Sequence, residues 1–189
     1  MVGSESSWAW QVARAELAAA LPRRWAHVQG VAAAAAGIAA RVDCDGELLV
    51  DAAILHDVGY APRLAVTGFH PLDGARFLRD RQFGGKRLWR LVANHTFAPL
   101  EAQERGLHAD LEAEFPVLDD PLLVDALTYC DMTTSPDGLP TTAPARIAEI
   151  RARYGADTVV GRFIERASPG ILAAVSRVEQ ALASHPRYG

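Results

Sequence analysis

Two cysteines, Cys44 and Cys130, are all that 189 residues carry, too few for a disulfide framework. Lysine is nearly absent: positive charge rests on eighteen arginines and Lys86, and the net charge is -4 with a pI near 5.8. That balance argues against a general nucleic-acid binder, which presents a basic excess. Long apolar runs are missing too. The longest low-polarity stretch, residues 28–40, contains Gln29 and two glycines and falls short of the roughly 20 apolar residues that span a bilayer, so no membrane association is expected. No charged-then-apolar leader with a small-residue cleavage site opens the chain, and the cytoplasm is the expected compartment. Internal repeats, low-complexity tails and domain linkers are also lacking. With 50% hydrophobic residues, the length suits one domain with a sizeable core.

Strand-like alternation is absent and helical spacing dominates, which predicts an all-α fold. Helices are expected over residues 7–21, 22–41 with Pro22 in the first turn, and 47–58, where Gly59 would end the helix in a left-handed conformation. Residues 60–69 read as a loop, followed by helices over 71–83 and 86–96. Residues 100–118, charged and interrupted by Gly106 and Pro116, read as a connection holding a short helix that covers the site. Helices over 121–132, 143–154 and 157–184 complete the chain, the last expected to break at Ser168-Pro169-Gly170.

The apolar segment Ala52-Ala53-Ile54-Leu55 runs into His56-Asp57, two potential metal ligands at the end of a helix. Further imidazoles and a carboxylate stand apart at His27, His70, His95 and Asp131. A helical fold can gather such donors around one or two cations.

In Arg24-Trp25-Ala26-His27, Leu55-His56-Asp57-Val58-Gly59 and Tyr129-Cys130-Asp131 the chain resembles the HD-domain superfamily over roughly residues 20–135, with residues 143–184 as further helices of the same single domain, 1–189. His70-Pro71-Leu72-Asp73 and Val92-Ala93-Asn94-His95-Thr96 look like the extra histidines of its dinuclear branches. The resemblance implies a compact helical bundle and a site of one or two divalent transition metals (Fe, Mn, Co, Ni or Zn). The ligands would be His27, His56, Asp57, His70, His95 and Asp131, with Asp57 bridging and His56 and Asp57 carrying catalysis. It implies a metal-dependent phosphohydrolase acting on a small phosphorylated molecule, a nucleotide or dinucleotide. The Gly-Tyr-Pro motif and His-His pair of the cyclic di-GMP phosphodiesterases are not present: the chain has Gly59-Tyr60-Ala61 and a single His95. The same ligand order resembles the mixed-valent diiron oxygenases of the superfamily, the alternative enzyme class. A third alternative, a non-catalytic HD binding module, is disfavoured by the retained ligands.

Arg63, in the loop after the His-Asp pair, is the candidate substrate contact, because a guanidinium binds two phosphate oxygens at once. Lys86, Arg87 and Arg90 are expected to be solvated. Asp73 is expected to stabilise a first helical turn rather than orient His70. Thr96, Thr133 and Thr134 adjoin ligand positions. Cys130 reads as a buried structural thiol, and His108 and His185 as surface residues.

Overall fold

The structure, a computed structural model, describes residues 7–184; His185 lies outside them. Among the described residues it holds ten α-helices and no β-strand. Ser7 caps α1 (Trp8–Leu17) by accepting the Trp10 N–H, and Pro22 sits in the first turn of α2 (Pro22–Ile38). Asp45 caps α3 (Gly46–Leu55) through the Leu48 N–H. A 3₁₀ turn, Val58–Tyr60, leads to α4 (His70–Asp80) and α5 (Lys86–Asn94). A second, His95–Phe97, leads to α6 (Ala98–Arg105) and α7 (His108–Glu114). Asp120 and Thr142 cap α8 (Pro121–Met132) and α9 (Ala143–Tyr154), and α10 (Val159–Ser184) runs along the bundle.

The main core is the meeting of α2, α3 and α8, closed by α1, α5 and α10, with Val31, Leu49, Ile54, Leu55, Leu123, Leu127 and Val178 buried in it. Phe69, Leu72, Leu111 and Phe115 fill a second cluster under α4, α6 and α7. Met132, Ile147, Phe163, Ile164 and Ile171 join α8, α9 and α10 in a third. No helix among the described residues is long and apolar enough to cross a membrane.

Three sequence expectations differ from what is observed. The helix through His56 ends at Leu55, and Gly59 is not left-handed. Its missing side chain instead makes room for α4, since a Cβ there would strike the His70 carbonyl oxygen and crowd the Gly74 amide. Residues 100–118 contain much of two helices, because Gly106 (φ 71°) ends α6 in a left-handed C-cap and the chain restarts at His108. The last helix passes through Pro169 without a break. Beside the proline, the Ser168 hydroxyl donates to the Ile164 carbonyl, and Gly170 leaves the space in which the Phe97 ring sits.

Candidate metal centre

Six side chains from α2, the two residues that follow α3, the entrance of α4, the 95–97 turn and α8 converge on one point. His27, His56, Asp57, His95 and Asp131 are all buried and His70 is nearly so. Asp57 stands between two sets of imidazoles: Oδ2 is 3.4 Å from His56 Nε2 and 3.9 Å from His27 Nε2, and Oδ1 is 3.3 Å from His70 Nε2. His70 Nε2 and His95 Nε2 are 3.2 Å apart. Two possible metal-holding triads result, His27–His56–Asp57 and Asp57–His70–His95, with Asp57 common to both. Asp131 adjoins the first through Oδ1, 3.1 Å from His27 Nε2.

Backbone carbonyls fix how three of the rings present themselves. Nδ1 lies 2.9 Å from the Ser135 oxygen in His27, 2.8 Å from that of Ala53 in His56 and 2.6 Å from that of Val92 in His95. A carbonyl only accepts, so Nδ1 carries the hydrogen in each neutral ring and the Nε2 lone pair faces the cluster. For His27 that lone pair confronts a carboxylate oxygen at 3.1 Å, an opposition that needs a proton or a cation between them. His56 Nε2 is buried with no hydrogen-bond partner, and such a group is costly to leave unsatisfied. Inward-facing imidazole nitrogens, two carboxylates and an orphaned buried acceptor fit a borderline divalent metal.

The electrostatics favour the same protonation states. Burial drives the His56 pKa down to about 4, and also lowers that of His70, so both rings are neutral near pH 7. Burial alone would raise Asp57, but the Arg24 guanidinium, 2.7 Å from Oδ2, and the hydrogen bond with His70 hold it well below the usual carboxylate range. Burial likewise opposes ionisation of Asp131, but the contact of Oδ1 with His27 holds its carboxyl below the usual range. Thr96 donates to Asp131 Oδ2 at 2.5 Å. It does so from a left-handed conformation (φ 48°), followed by Phe97 (φ 62°), uncommon for a β-branched residue and typical of a functional turn.

The cluster opens into a cavity of about 250 Å³, walled by Asp57, His70, His95, Thr96 and Asp131 on one side and by α9 and the start of α10 on the other. Arg63 is not part of that wall. It turns back to α1, where its guanidinium pairs with the buried Glu16. The cation at the cluster is Arg24, which also lies 4.1 Å over the Tyr60 ring, itself stacked on His70 at 3.9 Å. Its signal was in the sequence: Arg24 precedes His27 by three residues on one helix, which places both on the same face.

Asp73 lies in the first turn of α4 and accepts hydrogen bonds from the amide and hydroxyl of Thr67, fixing the approach to His70. Thr133 and Thr134 donate to carbonyls of α8. Arg87 pairs with Asp45 and Asp120, and Arg90 bonds to the carbonyls of Pro116 and Val117, while Lys86 is exposed. Cys130 is buried, as expected, and Nδ1 of His108 lies 3.8 Å from Glu112.

The HD domain family model matches residues 24–150, more than half of the chain and all six clustered side chains. Comparison with curated proteins and with solved structures gave no significant match.

Proposed function

Because the chain belongs to the HD domain family, whose members are generally metal-dependent phosphohydrolases, we propose that it hydrolyses a small phosphorylated molecule, a nucleotide or dinucleotide among the candidates, at a dinuclear site. The observation that carries this reading is the sharing of Asp57 by two buried triads. His27, His56 and Asp131 would hold one cation with Asp57, and His70 and His95 would hold the other. Divalent cations supply a Lewis acid for a phosphoryl oxygen and the acidity that makes water a nucleophile near neutral pH.

The protein's own groups prepare that chemistry. Carbonyls of Ser135, Ala53 and Val92 keep three rings in the ligating tautomer. Arg24 keeps Asp57 ionised and brings a positive charge to the cavity wall, where a phosphate would be drawn in. Thr96 restrains Asp131. Ile150, Phe163 and Ile164 line the opposite side with apolar surface, which limits the water around a bound substrate.

Metal analysis of the purified protein, paired with a screen of phosphoesters, nucleotides and phosphonates, tests the reading. Two equivalents of divalent metal and phosphate release under anaerobic conditions are expected. Iron with oxygen-dependent turnover and no phosphate release from esters would replace it with the oxygenase reading. Absence of metal after reconstitution would leave a binding module.

A further inference from the structure

The cavity wall opposite the cluster is cationic and includes a group with an unmet need. Arg146, on α9, is buried, with its side chain 7% exposed. One amino group bonds to Glu149, but Nε, also buried, has no hydrogen-bond partner. The other arginines lining the cavity are occupied: Arg24 by Asp57, Arg105 by Glu101, and Arg153 by Glu149 through both Nε and an amino group. Glu149 thus serves two guanidiniums, and the Arg146–Glu149–Arg153 group keeps a net positive charge. Next to it on the same wall, Ile150, Phe163 and Ile164 supply apolar surface.

A buried guanidinium with one N–H unpaired and only a shared carboxylate for a counter-charge is incompletely compensated, and an anion on its cavity side would supply the missing charge. The guanidinium's planar fork suits the oxygens of a phosphate or carboxylate. We propose that Arg146, supported by Arg153, forms a second anion subsite, so that the substrate carries another phosphate or carboxylate beyond the phosphate at the metals. The two are joined by an uncharged stretch that lies on Ile150 and Phe163. This rests on the phosphohydrolase reading for what happens at the metal end, but the subsite itself is measured by binding alone.

The test uses the metal-loaded full chain and alkylphosphonates of graded length, which cannot be hydrolysed at an ester bond, each with and without a terminal carboxylate or a terminal phosphonate. Calorimetry should show that, at one spacer length, the second anion tightens binding by about tenfold or more, as a charge-assisted hydrogen bond allows. Which terminus gains more tells carboxylate from phosphate. Arg146→Met should erase the gain while leaving the affinity of the plain alkylphosphonate unchanged. Arg87→Met, which removes one positive charge from the ion pairs with Asp45 and Asp120, should keep it. No gain at any length in the unmodified protein, or a full gain in Arg146→Met, overturns the subsite. Should circular dichroism show Arg146→Met unfolded, Arg153→Met carries the test: Glu149 then neutralises Arg146, so a gain cut at least about threefold supports the subsite and an undiminished gain overturns it. If the binding pattern holds while no phosphoester is turned over, the subsite stands and the hydrolase reading falls.

Discussion

His56 and Asp57 bear on everything else at the centre, since His56 Nε2 lacks a protein partner and Asp57 belongs to both triads. His56→Ala and Asp57→Ala should each lose bound metal and nearly all activity, read by metal analysis and turnover. Metal retained at wild-type stoichiometry in both would refute the ligand assignment. Arg63→Ala should behave differently. Kinetics and metal content should stay at wild-type values, while the melting temperature falls because the buried Glu16 loses its partner. A raised KM with an unchanged melting temperature would return Arg63 to the substrate. The contrast between Arg63 and Arg24 also marks what could be read from sequence at this scale. Metal-ligand residue types in family order pointed to six side chains that do meet. The direction of the loop after Asp57 was not legible, because the ion pair that turns Arg63 away is made with Glu16, 47 positions earlier in the chain. Arg24 was passed over, although helical spacing puts it beside His27 on one face.

At the scale of elements, the site depends on close approaches that only glycine permits. Gly59 lies against the first turn of α4, and Gly138 (φ 78°) lies against the Ala26 carbonyl while Gly30 approaches it from α2. The first contact sets His70 against Asp57; the second holds the 135–138 turn whose Ser135 carbonyl orients His27. Gly59→Ala is expected to cost about 1–3 kcal/mol, the usual range for overpacking, and to displace α4 so that metal binding at the His70–His95 end weakens first. Denaturant unfolding and metal stoichiometry together check this: an unchanged midpoint with full metal occupancy would show that the contact relaxes freely. Helices 121–132 and 143–154 were legible to the residue, since capping residues Asp120 and Thr142 and prolines in the first turn mark their starts. The turns at 58–60 and 95–97 were not. Their conformations follow from helix packing and from the hydrogen bond between Thr96 and Asp131, which no local pattern encodes. Pro169 misled for a related reason: the packing of α10 along α8 and α6 holds the helix together across it.

Across the whole molecule the cluster joins distant parts of the chain, and in the metal-free protein that union has an electrostatic cost with a definite pH dependence. Burial keeps His56 neutral down to about pH 4, whereas an unfolded chain takes up that proton near pH 6.5. Between those values the unfolded state binds more protons, so stability falls as pH drops from about 6.5 toward 4, and His70, shifted the same way, adds to the slope. Asp57 and Asp131, both held below the usual carboxylate range, act in a lower window: their contribution is present above about pH 3.9 and is lost only below it. From pH 7 to pH 5 the histidine contribution therefore dominates, on the order of 1–2 kcal/mol for His56 alone. Metal binding should raise the melting temperature at pH 7, because a ligand of the folded state stabilises it by mass action. The increment should shrink toward pH 5 as protons compete for the same nitrogens. Thermal melts of chelated and metal-loaded protein at the two pH values measure both effects, with His56→Ala expected to flatten the metal-free slope. A metal-free protein as stable at pH 5 as at pH 7 would mean that the imidazoles are not held neutral, and the case for inward-facing lone pairs awaiting a cation would fail.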